Sequence, residues 1–239
     1  MTKTKKKVAF CVPTVKKPYQ VCLDSIKDSI PSIEEAGWDH VMVSEIGNPY
    51  ISAARSYMLH KALKADADVI VFIDHDLSWD SKDLLKLIET EGEVVAGTYR
   101  FKRKDVEYMG SPLPGMDKRP IVREDGCVSA FCIPAGFLKI TRRAVNIFIE
   151  KYPELCYGDR WQPKVDLFNH GVHNHVWFGE DYAFSRNWLA TGNPIWLIPD
   201  ININHHTDTE EFKGNYHQYL LEQPGGSESD NPEPPKEIK

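Results

Sequence analysis

The sequence predicts a single α/β domain with a mostly parallel central sheet flanked by helices. Three observations lead there. The run VIVFI (69–73) is apolar and β-branched, as expected of a strand buried on both faces. The first hundred residues alternate such runs with helical patterns. And 239 residues, 41% hydrophobic and 27% charged, suit one soluble domain with an ample core.

The elements follow in order. KVAFCVPTV (7–15) reads as a first buried strand, broken by Pro13. Residues 18–36 read as a helix interrupted at Pro31 and stopped by Gly37. HVMVSEI (40–46) is a second strand. NPYISAARSYMLHKALKAD (48–66) is a helix carrying Ile51, Ala54, Met58 and Ala62 on one face. The strand at 69–73 follows, then a helix to about Thr90 that Asp80 or Ser81 can cap. EVVAGTYR (93–100) is a fourth strand. Short strands with Pro and Gly turns (105–140) lead to the helix TRRAVNIFIEKY, capped by Thr141. A long aromatic and His-rich loop (152–178) precedes the helix GEDYAFSRNWLATG, which stops at Gly192. Strands at 195–198 and 200–206 close the fold. The last sixteen residues hold four prolines and no aromatic residue, so 1–224 is the domain and 225–239 a disordered tail.

No apolar run reaches the roughly 18–20 residues of a membrane span, and the lysines at 3, 5, 6 and 7 lead into a strand, unlike a signal peptide. The five cysteines are odd in number and none forms a CxxC pair. A reduced, cytoplasmic protein is expected.

The chemistry concentrates in VIVFIDHDLSWD (69–80), which delivers Asp74 and Asp76 to the carboxyl end of a buried strand. Open α/β sheets bind ligands there. Two converging carboxylates repel unless a cation or donor compensates, and such oxygen ligands suit Mg²⁺ or Mn²⁺, which bind phosphates. A second DxD, Asp66-Ala67-Asp68, reads as an exposed helix-to-strand corner. HGVHNH (170–175) could bring His170, His173 and His175 to zinc, but no Cys or further His completes a tetrahedral set; an acceptor-side loop with Trp161, Trp177 and Phe178 is the better reading. No P-loop, GxGxxG or GxSxG is present.

An ordered series now carries a resemblance: VPT (12–14), ISAARSYML (51–59), VIVFIDHDLSW (69–79), VVAGTYR (94–100), AGFLKITRRAV (135–145), GEDYAFSRNW (179–188) and ININHH (201–206). In order and spacing it resembles the nucleotide-sugar-dependent glycosyltransferases of the GT-A fold, over about residues 7 to 210. The resemblance implies a nucleotide-binding half at about 7–100 and an acceptor half at about 101–210. It makes Asp76 the direct metal ligand and Asp74 a ribose or outer-shell partner. Arg55 would lie near the nucleotide and diphosphate, and Pro13 and Thr14 beside the base. His205 or His206 would add an imidazole ligand; alternation from Ile201 and Ile203 favours His205. Such a ligand tilts the metal toward Mn²⁺ over Mg²⁺. Asp181 becomes the general base of an inverting transfer, with Glu180 and Trp177 on the acceptor side.

The implied activity moves a sugar from a nucleotide-sugar donor, UDP-sugar first, to an acceptor hydroxyl. The alternatives are a sugar nucleotidyltransferase, which usually has a Gly- and basic-rich loop that VPTVKKPYQ lacks, and a catalytically idle binding module. Net charge is −6, yet residues 100–143 hold ten Lys/Arg against five acids, +5, leaving −11 elsewhere. The chain also resembles small stand-alone transferases of bacteriophages and large DNA viruses. Together these suggest a polyanionic acceptor, modified DNA with hydroxylated bases first, contacted by Lys102, Arg103, Lys104 and Arg119. A glycan or a protein side chain is the alternative.

Overall fold

The computed structural model describes residues 5–116 and 119–222. The expected tail at 225–239, Lys3 and Lys118 lie outside them. The chain opens with β1 (Lys7–Thr14), α1 (Gln20–Glu35), β2 (Asp39–Ile46), α2 (Ile51–Lys64) and β3 (Val69–Ile73). α1 runs through Pro31 without a break, contrary to expectation. Burial of Cys22, Ile26 and Ile33 along one side of the helix outweighs the one backbone bond that proline removes. Gly37, at φ 89°, ends it: its N–H reaches Glu34 O and that of Trp38 reaches Ile33 O, which satisfies the last carbonyls. α2 ends the same way on Asp66, at φ 58°, while Asp68 accepts the Lys7 backbone N–H. The Asp66/Asp68 pair is thus a structural corner.

After β3 come β4 (Leu77–Trp79), α3 (Ser81–Glu89), β5 (Val94–Ala96), β6 (Ser111–Pro112), β7 (Val128–Cys132), β8 (Phe137–Thr141) and α4 (Arg142–Lys151). Thr141 caps α4 by accepting the Ala144 N–H at 3.0 Å. Asp80 precedes α3 but makes no side-chain cap. Two small hairpins, β9 (Cys156–Tyr157) with β10 (Lys164–Val165) and β11 (Gly171–His173) with β12 (Val176–Phe178), occupy the expected loop. Then follow α5 (Glu180–Leu189), β13 (Trp196–Leu197), β14 (Ile203–His206), β15 (Glu211–Phe212) and α6 (Tyr216–Glu222).

Eight strands form the central sheet, in the order β2-β1-β3-β8-β5-β13-β7-β6. The strands β2, β1 and β3 are parallel, but the sheet as a whole is mixed. β8 runs antiparallel to both β3 and β5, and β7 antiparallel to β13. Only β8 and β7 run against the common direction of the other strands, which is where the mostly parallel sheet becomes mixed. β8 enters beside the carboxyl end of β3, where Gly136 O accepts the Asp74 N–H, so it can only run back along that strand.

The alternation of side chains divides the core in two. Ala9, Cys11, Ile70 and Phe72 face α2, α4 and α5, packing with Met58, Phe148 and Trp188. Val8, Phe10, Val12, Val71 and Ile73 face α1 and α3, packing with Ile26, Ile33, Leu84 and Leu87. With both faces covered, β1 and β3 are held rigidly and their carboxyl ends have a fixed position. The five cysteines are unpaired, and no helix among the described residues is long and apolar enough to cross a membrane.

Candidate functional site

Asp74 is the first residue past β3. Its backbone is fixed by Gly136, and its side chain receives Arg55 Nη2 on Oδ1 at 3.0 Å and the Tyr99 hydroxyl on Oδ2 at 3.0 Å. The fit leaves no room: a Cβ on Gly136 would come within 2.2 Å of Asp74 Oδ2 and 2.1 Å of the Tyr99 oxygen. Arg55, 2% exposed on α2, gives its other terminal nitrogen to Glu180 Oε1 at 3.1 Å. One buried guanidinium therefore joins the β3 end to the start of α5, with Phe168 against its face. Both terminal nitrogens are engaged by carboxylates.

Asp76 lies two residues on, in the turn into β4. β4 pairs antiparallel with β14, Ile203 opposite Trp79 and His205 opposite Leu77, and the His206 N–H continues the ladder to Asp76 O at 2.8 Å. This register sets the two histidines apart. His205 follows Ile203 inward, and its Nε2 stands 3.6 Å from Asp76 Oδ2. His206 turns instead to the Ser78 hydroxyl, 2.7 Å away. As a partner for Asp76 the structure brings up His205 and leaves His206 aside.

His205 Nδ1 lies 2.7 Å from the carbonyl of Arg100, so that nitrogen carries the proton. The other ring nitrogen, Nε2, is left facing the Asp76 carboxylate. A carboxylate beside an imidazole whose far nitrogen is held by a backbone carbonyl is a sound donor set for a cation. Lys102 Nζ also meets Asp76 Oδ2. Burial works against the charge of Asp76, but the bonds from His205 and Lys102 hold its carboxyl well below the usual carboxylate range.

Pro13, Thr14, Asn48, Arg55, Asp74, Asp76, Glu180 and His205 line one cleft of about 240 Å³. It opens at the carboxyl ends of β1 and β3. The Thr14 hydroxyl is buried there without a partner. A larger groove of about 620 Å³ runs between α2 and the β9–β10 hairpin, but its lining brings no pair of carboxylates together. Chemistry, and not size, selects the smaller cleft.

Asp181 stands in the first turn of α5, beside Glu180. Burial, then the Glu180 charge, pushes its carboxyl up to about 6, and Oδ1 accepts the Tyr182 N–H at 2.8 Å. Trp177, 66% exposed on β12, lies outside the cleft lining. It contacts His170 and lies opposite Val172 on β11, and both Trp177 and Val172 are exposed; Trp161, in the β9–β10 turn, is exposed as well. No group of three or more His, Cys, Asp or Glu able to hold a metal forms among the described residues, so the 170–175 histidines build no zinc site there.

The basic segment 100–143 is largely answered from within. Lys102 meets Asp76, Arg103 Glu107, Arg123 Asp125 and Arg143 Glu93. Arg100 and Arg142 bind backbone carbonyls, and Lys139 is buried against Ile88 O and Thr90 O. Among the described residues of the segment these seven cations are engaged in this way.

Sequence reasoning did not assign Tyr99, Gly136 or Arg100 to the site, and it gave Lys102 to the acceptor, whereas the side chain meets Asp76. Tyr99 and Gly136 sit inside the motifs VVAGTYR and AGFLKITRRAV, which was the available signal.

No family model and no curated protein matches the chain. Solved structures that it resembles include one described as GalNAc-T7 with UDP, GalNAc and Mn²⁺, at 12% identity and a TM-score of 0.44 over 85% of this chain and 44% of that one. Another is S. aureus TarS 1–349, at 12% identity and a TM-score of 0.43 over 81% of this chain and 58% of that one. The chain thus spans about half the length of these neighbours.

Proposed function

We propose that this chain is a glycosyltransferase that moves a sugar from a nucleotide-sugar donor, UDP-sugar first, to an acceptor hydroxyl with the help of a divalent cation. The observation that carries the reading is the pairing of Asp76 with the oriented His205 imidazole, in the same cleft as Thr14 and the Arg55–Asp74–Glu180 bridge.

Asp76 and His205 would hold the cation, and the imidazole favours Mn²⁺ over Mg²⁺. When bound, it neutralises as a Lewis acid the negative charge that develops on the departing diphosphate. The protein does the rest. Pro13 and the unpartnered Thr14 hydroxyl receive the nucleotide base at the end of β1. Arg55 positions Asp74 and Glu180 and keeps their like charges compatible. Asp181 takes the proton from the acceptor hydroxyl as its oxygen attacks the anomeric carbon, a single displacement that inverts configuration. A carboxyl near 6 is mostly ionised at neutral pH yet more basic than an ordinary aspartate, which suits a general base.

For the acceptor, the exposed Trp161 and Trp177 support a carbohydrate, whose rings stack on aromatic faces. Modified DNA would draw on Lys102 and Arg103, which already meet Asp76 and Glu107, together with Lys104 and Arg119.

The test is donor hydrolysis. Release of nucleotide from UDP-, GDP-, dTDP- and CMP-sugars, with and without Mn²⁺, should single out one donor class and require the metal. Absence of turnover with all four, in the presence of metal and sugar acceptors, would favour an idle binding module.

A further inference from the structure

Lys102 Nζ and His205 Nε2 converge on one atom, Asp76 Oδ2. That oxygen is the one the proposed cation needs, and a lysine already neutralises it. The contact is not a chance reach of a surface side chain, because the loop carrying Lys102 is folded toward it. Arg100 Nη2 lies within reach of the carbonyls of Arg103, Lys104 and Asp105, at 3.4, 3.1 and 3.3 Å. Phe101 N–H donates to Glu107 O at 3.0 Å and Arg103 N–H to Phe101 O at 2.8 Å, closing the loop on itself. The Arg100 carbonyl holds His205 Nδ1, so one short segment sets both the imidazole and the ammonium around Asp76.

Residues 102–107 are exposed, whereas Tyr99 and Tyr108 at the base of the loop are buried. An ammonium and a divalent ion cannot share one carboxylate oxygen, since like charges at contact distance repel strongly in a partly buried site. Lysine suits a reversible role: it is a compact point charge on a flexible stem, readily rehydrated once released.

We propose that Lys102 is a built-in counter-cation of the Asp76–His205 site, one that a divalent ion must displace, and that its release frees the loop beyond Arg100, residues 101–107. This rests on the reading that Asp76 and His205 hold the ion. Lys102 then acts as a positioning residue that keeps the site ordered and closed until the ion arrives, and it weakens binding of the ion by itself.

Titrating the full chain with Mn²⁺ alone by calorimetry tests this in wild type, Lys102→Met and Asp76→Asn. Lys102→Met should bind Mn²⁺ about five- to tenfold more tightly than wild type, the worth of a partly exposed ion pair removed from competition. Asp76→Asn should lose Mn²⁺ binding. Trypsin provides a second readout without activity: Mn²⁺ should accelerate cleavage after Lys102, Arg103 or Lys104 in wild type. In Asp76→Asn that cleavage should be fast with or without the ion. Equal or weaker Mn²⁺ affinity in Lys102→Met, with Asp76→Asn still defective, overturns the counter-cation while sparing the site. Mn²⁺ binding that is unchanged in Asp76→Asn, or absent from wild type and Lys102→Met alike, overturns both.

Discussion

At Asp181 and Arg55 the burial of single charged side chains bears on stability and on the proposed chemistry alike. The Asp181 carboxyl is raised to about 6, by burial first and Glu180 second. Between about pH 4 and 6 the folded state therefore binds more protons than the unfolded state, and the stability contributed by the protonated form is lost as pH rises through 6. Asp181→Asn stays neutral throughout. Its stability relative to wild type should rise by about 1–2 kcal/mol between pH 4 and 7, measured by urea unfolding at both values. In the same variant, transfer should fall by roughly 10²–10⁴-fold, the usual worth of a positioned base. A wild type equally stable relative to the variant at both pH values would remove the raised carboxyl. Arg55→Met should cost about 2 kcal/mol, because it leaves Asp74 and Glu180 facing each other without a cation; both are about a quarter exposed, which lowers the full buried-pair penalty. An unchanged unfolding midpoint would contradict that.

Pairing between elements decides what reaches the cleft. A strand shows alternate residues to opposite faces, so β14 can offer only one of its adjacent histidines to Asp76. His205→Ala should abolish Mn²⁺ binding, while His206→Ala, whose ring sits on Ser78, should leave it within about threefold. Calorimetry that finds the reverse order would mean the β4–β14 register is wrong. This choice was legible in the sequence, because Ile201 and Ile203 mark the inward face. So was the placement of Asp74 and Asp76, since the apolar, β-branched VIVFI reads as a buried strand that ends on them. What was not legible depends on chain segments far apart in sequence. Nothing local in FKRKDVE announces that Lys102 meets Asp76, 26 positions away. Nor does the FLKIT pattern reveal that β8 runs antiparallel: its apolar run suits either direction, and only its entry beside Asp74 fixes one. Pro31 misled for the opposite reason, a local rule overruled by packing.

On the scale of the molecule, charge counted along the chain is a poor guide to charge on the surface. The +5 of residues 100–143 promised a basic face, yet two of its cations meet acids from outside the segment, Asp76 and Glu93, and others are held by backbone carbonyls. Transfer to the acceptor should therefore vary little between 50 and 200 mM salt; a log–log slope steeper than about −3 would signal several phosphate contacts and restore a polyanionic acceptor. The central claim is that Asp76, presented at the carboxyl end of a rigid sheet, couples a divalent ion to a nucleotide sugar. Thermal unfolding of wild type and Asp76→Asn with each sugar nucleotide, with and without Mn²⁺, tests it most directly. A ligand at a hundred times its dissociation constant adds about 2.7 kcal/mol, which is readily seen. The expected result is a clear upward shift for one nucleotide class in wild type, present only with Mn²⁺ and lost in Asp76→Asn. Stabilisation by sugar nucleotide that ignores both the metal and the substitution would contradict it.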